Sequence, residues 1–157
     1  MTDLDDIQRD LAEARAALIA GLAGLTPEQI ARRPPGEITD DEQRWPINDV
    51  IWHVGVTEDA FCRQIAQGLA QRPIVNTPAP KRPEILTTAP LLVEWLIQSR
   101  RPTLALLKRL NAGDLDTEFT MPNGAKRTPR QRLTTLLGHD RDHLVQVNAL
   151  RALSAEA

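Results

Sequence analysis

The sequence predicts an all-α four-helix bundle, and three observations predict it. Apolar residues recur at steps of three and four along four long segments. No run alternates polar and apolar residues as a strand does, and tyrosine, a common strand residue, is absent. Two stretches broken by proline, glycine and clustered polar residues separate the segments and leave room for long crossover connections.

Leu4, Ile7, Leu11, Ala14, Leu18, Leu22 and Leu25 share one face, which places a first helix from about Asp3 to Gly24. Thr26-Pro27-Glu28-Gln29 then offers an N-cap, a proline at the first helical position and a glutamine placed for a capping box, so a short helix to about Arg32 follows. Arg33 to Arg44 reads as a loop, and Pro46 opens the second long helix, which carries Ile47, Val50, Ile51, Val54, Phe61, Ile65 and Leu69 and runs to about Gln71.

Prolines 73, 78, 80 and 83 exclude a helix between Arg72 and Ala89. Extended, that linker reaches about 60 Å, more than the roughly 39 Å of the preceding helix, so it can cross the whole bundle. Pro90 opens the third helix, with Leu92, Trp95, Leu96, Leu104, Leu107 and Leu110 on its face and a kink expected at Pro102. Asn111 to Arg127 is a second loop, turning at Met121-Pro122-Asn123-Gly124. Thr128-Pro129-Arg130-Gln131 repeats the capping arrangement and starts a fourth helix to about Leu153. The 157 residues suit a single domain, 1–157.

Composition removes several function classes. A net charge of −2 lacks the basic footprint that phosphate neutralisation needs, which argues against nucleic acid. The longest apolar run, Ala16 to Leu25, is about half the length of a bilayer-crossing helix, so no membrane segment is expected. Asp3, Asp5 and Asp6 stand where a secretory signal would be positive, which makes the cytoplasm the expected compartment. The single cysteine, Cys62, excludes an intramolecular disulfide and zinc sites built on paired cysteines.

The three histidines carry the chemistry. His139 and His143 are four residues apart on the fourth helix, which sets both imidazoles on one side, one turn apart, where two ring nitrogens can meet one metal ion. His53 lies on the second long helix, and all three fall at the edge of their helix's buried face, where a site keeps one coordination position open to a cleft. Three neutral imidazoles plus a water describe a catalytic type of zinc site, whereas paired histidines at this spacing also occur at surfaces and caps without any ion.

The order Trp45-Pro46-Ile47-Asn48-Asp49-Val50-Ile51-Trp52-His53, followed by Gly138-His139-Asp140-Arg141-Asp142-His143-Leu144-Val145-Gln146, resembles the DinB/YfiT-like superfamily over nearly the whole chain. The resemblance implies an up-down-down-up bundle with His53, His139 and His143 as a metal triad, and Gln146 matches a glutamine that often follows the last histidine in that family. It implies zinc or nickel, a small-molecule substrate, a homodimer and, in some branches, chemistry that uses a low-molecular-weight thiol such as bacillithiol, glutathione or mycothiol.

Several neighbours have two readings. Glu58 falls inside the apolar stripe about one turn beyond His53, either as a proton shuttle for a metal site or paired with an arginine from another helix. Asp140 invites the same alternatives, while Asp142 points to solvent. Cys62 reads as a small buried residue or, less simply, as a ligand or nucleophile, and Trp45, Trp52 and Trp95 as core or cavity wall. Lys126, Arg127, Arg130 and Arg132 at the start of the fourth helix are a solvated basic patch or a dock for an acidic thiol. Two functions follow from the triad: a metal-dependent hydrolase or thiol-dependent transferase on a small molecule, or a non-catalytic metal-binding helical dimer. An exchangeable coordination position would favour the first and a closed ligand shell the second.

Overall fold

The computed structural model describes residues 3–155. Its helices are α1 (Asp3–Ala20), α2 (Pro27–Ala31), α3 (Ile47–Leu69), α4 (Ala89–Leu107) and α5 (Pro129–Ala155), with short 3-10 turns at Glu42–Arg44 and Ala112–Asp116. Both predicted capping boxes form. Thr26 Oγ1 accepts from Gln29 N while Gln29 Oε1 accepts from Thr26 N, and Thr128 and Gln131 repeat the exchange at the start of α5. The fourth long helix therefore begins where the sequence places it. Helix α4 continues through Pro102.

Two boundaries differ from expectation. Helix α1 stops at Ala20, because the amides of Leu22 and Ala23 turn to the carbonyls of Ile19 and Ala20, three residues back, and Gly24 takes a φ of 74° open to glycine without strain. The second loop is not strand-free: Phe119–Thr120 (β1) pairs antiparallel with Lys126–Arg127 (β2), around the predicted turn in which Gly124 has φ 82°. Strands of two residues are too short to show an alternating pattern.

The apolar residues form two clusters, and their membership gives the helix directions. Leu11 of α1, Ile65 of α3, Leu106 and Leu107 of α4, and Leu133 and Leu136 of α5 lie in one. Leu18 and Leu22 of α1, Ile47, Val50 and Ile51 of α3, Leu92 and Leu96 of α4, and Val147 and Leu150 of α5 lie in the other. Helices α1 and α5 thus run from the first cluster to the second, and α3 and α4 run the opposite way. The order is up-down-down-up, with α3 lying against α4 and α5, and α1 against α5 and α4.

The parallel pair α3–α4 needs the long connection between them. That segment is pinned along the way: Trp52 Nε1 donates to Pro80 O (2.9 Å), Arg63 to Thr77 Oγ1 (2.9 Å), and Arg82 to Asp49 (2.6 Å). The two helices approach closely at Gly55, where a Cβ would stand 2.4 Å from the Trp95 indole.

Between the clusters, each long helix contributes one buried charge. Arg15 of α1 donates to Asp140 of α5 (2.9 Å) and to Glu58 of α3 (2.5 Å), while Arg100 of α4 donates to Asp140 (2.9 Å). Arg100 Nε also stands 2.6 Å from Glu58 Oε1, an ion pair out of line for a directed hydrogen bond. Remaining donors go to carbonyls, Arg15 to Leu96 and Arg100 to Leu11. Two cations and two anions, all at most 5% exposed, form a neutral belt across the bundle.

Candidate metal centre

The histidine cluster lies beside this belt. His139 immediately precedes Asp140, and His53 comes one turn before Glu58 along α3. Their ring nitrogens converge: His139 Nε2 is 2.9 Å from both His53 Nε2 and His143 Nε2. One ligand atom from each of the three lies within 4.8 Å of the others. Nitrogens sharing one tetrahedral ion at 2.0–2.1 Å would stand ~3.3 Å apart, so small ring movements bring these to ligand spacing.

Protonation decides what the cluster can hold. Gln146 Nε2 donates to Glu42 O (2.8 Å), which leaves Gln146 Oε1 as the acceptor for His143 Nδ1 at 2.8 Å. His143 Nδ1 therefore carries a proton, and Nε2 is the nitrogen turned to the cluster. Burial, reinforced by His143 and then His53, pushes the His139 imidazole down to about 3. Burial and then His143 lower His53 as well, with Glu42 acting in the opposite sense. Three imidazole nitrogens that converge on one point form a donor set that fits a divalent transition metal.

Glu58 does not join this group. Its carboxylate is fully buried and paired with Arg15 and Arg100, so of its two readings the structure shows the arginine pairing. A carboxylate held between two guanidiniums, away from water, is poorly placed to relay protons. Asp140 is likewise in the belt, and Asp142 is exposed as expected. Cys62 is half-buried beside the first apolar cluster, with burial pushing its thiol up, away from the reactive thiolate.

The carboxylate that does reach the histidines is Glu42, from the loop before α3. Its Oε1 stands 3.3 Å from His143 Nε2. The sequence hides it among the acids of an irregular loop, about a hundred residues from His143, where no periodicity marks it.

Two cavities open onto His53. One of about 310 Å³ is lined by Trp45, Trp52, Val56, Pro80, Arg33 and Arg82, among others. The other, about 330 Å³, is lined by Thr57, Phe61, Pro78 and Trp95. Trp45 meets the His53 ring edge-on at 5.1 Å, and Trp52 stacks on Trp95 at 4.3 Å. All three tryptophans therefore wall the cavities as well as packing. A third cavity, about 560 Å³, opens on the far side against Glu42, His143 and Gln146.

The basic residues at the start of α5 have partners within the chain. Arg130 pairs with Asp116 and Asp3, Arg132 lies 4.6 Å over the Phe61 ring, and Lys126 donates to Thr120.

Residues 10–147 match the family model of the DinB superfamily. The chain belongs to the DinB superfamily. The same DinB fold recurs in solved structures. One is YfiT from Bacillus subtilis, described as a probable metal-dependent hydrolase with an unusual four-helix bundle topology (TM-score 0.77, 15% identity, 99% of this chain and 90% of that one). Others are a DinB-like protein from Bacillus cereus ATCC 10987 (TM-score 0.71, 17% identity, 96% and 92%) and a conserved protein from Enterococcus faecalis (TM-score 0.71, 17% identity, 100% and 99%). None of the curated proteins compared with the chain matches it in sequence. No helix among the described residues is long and apolar enough to cross a membrane.

Proposed function

We propose that this chain is a metal-dependent enzyme acting on a small molecule, with His53, His139 and His143 holding one zinc or nickel ion through Nε2. The observation that carries the reading is the convergence of three Nε2 atoms while the His143 proton is committed to Gln146 on the opposite side of its ring. A bound ion of this kind supplies Lewis acidity, lowering the pKa of a coordinated water or thiol, which suits hydrolysis or thiol-dependent transfer.

The chain's own residues supply the rest. Gln146, anchored on the Glu42 carbonyl, orients His143 and keeps its Nε2 free. Trp45 fixes the His53 ring from one side. The tryptophan-walled cavities beside His53, which also carry Arg33, Arg82 and Asp49, give a small molecule a place to bind with part of its surface removed from water.

Reconstitution with Zn²⁺ or Ni²⁺ followed by elemental analysis tests the metal, with about one ion per chain expected. His143→Ala leaves two imidazoles and should abolish tight uptake while the far-UV circular dichroism stays near native, because the helices have their own apolar core. Turnover of chromogenic ester, amide and thioether probes by the loaded wild type, lost in the same variant, tests catalysis. No uptake by the wild type would sink the proposal.

A further inference from the structure

We infer that Glu42 supplies a fourth, displaceable carboxylate ligand to the metal held by the three histidines. The inference rests on the metal reading above and goes beyond it, since neither the spacing of the histidines nor their pairing points to an acidic residue from the loop before α3.

Two atoms carry the argument. Glu42 Oε1 and His143 Nε2 are 3.3 Å apart, and because Gln146 accepts from His143 Nδ1, Nε2 is the nitrogen left to bind an ion at the point the carboxylate also faces. Their distance is close to the ~3.3 Å edge of a tetrahedral ligand set around an ion at 2.0–2.1 Å.

The local structure holds Glu42 there by its backbone and leaves its side chain free to move. Its carbonyl accepts from Gln146, and Asp41 caps the 3-10 turn it begins by accepting from Gln43 N. The Glu42 side chain is 44% exposed and lines the 560 Å³ cavity with His143. A carboxylate on a short turn, half in water, can leave a coordination position when another ligand arrives. The same centre is then closed at rest and open in use.

Titration of apoprotein with Co²⁺, followed by visible absorption, tests this without any assay of activity. Glu42→Gln keeps the backbone bond to Gln146 and the shape of the side chain but loses the anionic donor. The expected result is Co²⁺ binding weakened by about 10-fold or more, together with a changed d–d spectrum as water replaces a carboxylate. Glu42→Ala should behave in the same way. Unchanged affinity and spectrum, or weaker binding with an unchanged spectrum, would overturn Glu42 as a ligand and leave the three-histidine centre standing. Failure of the wild type to take up Co²⁺ would overturn both.

Discussion

His139 and Asp140 are adjacent in the chain and belong to two polar clusters built on opposite principles. In the belt, two guanidiniums meet two carboxylates, the charges cancel, and nearly every polar atom has a partner. In the histidine cluster, three ring nitrogens crowd one point, His139 Nδ1 is buried without a partner, and a carboxylate stands 3.3 Å from His143 Nε2. A satisfied buried network rigidifies, whereas an unsatisfied one awaits a ligand. About one turn of α3, from His53 to Glu58, and of α5, from Asp140 to His143, separates the group that holds the bundle from the group proposed to bind.

The comparison can be broken at the belt first. Glu58→Gln leaves two buried guanidiniums with one carboxylate and should cost about 3–5 kcal/mol, read as a lower urea midpoint, because an uncompensated charge then sits in the core. A variant with wild-type stability but altered metal chemistry would return Glu58 to the proton-shuttle role.

Acid separates the clusters more gently. The imidazoles of His139 and His53 are depressed in the fold and ordinary in the unfolded chain, so below pH 6.5 the unfolded state binds more protons. Their contribution is complete above that pH and is lost progressively as pH falls toward about 3, the His139 value. The metal-free wild type should therefore lose stability between pH 7 and 5 more steeply than His139→Gln, by urea titration at each pH. Parallel curves would mean that His139 is not held neutral by the fold.

The smallest effect lies beside the site. A Cβ on Gly138 meets nothing within 4 Å, so Gly138→Ala should stabilise α5 by up to about 1 kcal/mol, seen as a higher urea midpoint with metal affinity unchanged. Loss of metal binding in that variant would show that the bare backbone before His139 is needed for the centre itself.

What was legible in the sequence follows the range of the interaction. Apolar spacing gave the long helices, the Thr26 and Thr128 boxes gave two helix starts, and the i, i+4 pair placed His139 and His143 side by side, all from contacts within a few residues. Glu58 and Asp140 were placed on inward faces, but their partners Arg15 and Arg100 lie on other helices, and which helices face one another depends on the up-down-down-up order. Glu42 was out of reach for a different reason. It sits on a three-residue turn whose position is set by Gln146 and the entry to α3, and nothing local in Asp40-Asp41-Glu42 distinguishes one acid from its neighbours.

The belt also sets the vertical alignment of the helices. Leucine faces tolerate sliding, since one apolar turn packs against another much as the next would. A slip of one turn, about 5.4 Å, would carry a guanidinium or carboxylate out of the charged layer and leave several ions stranded among leucines. Only one registration puts Arg15, Glu58, Arg100 and Asp140 at the same height, and that registration also brings His53 level with His139 and His143. The four charges act as an index mark that aims three imidazoles from two antiparallel helices at a single point.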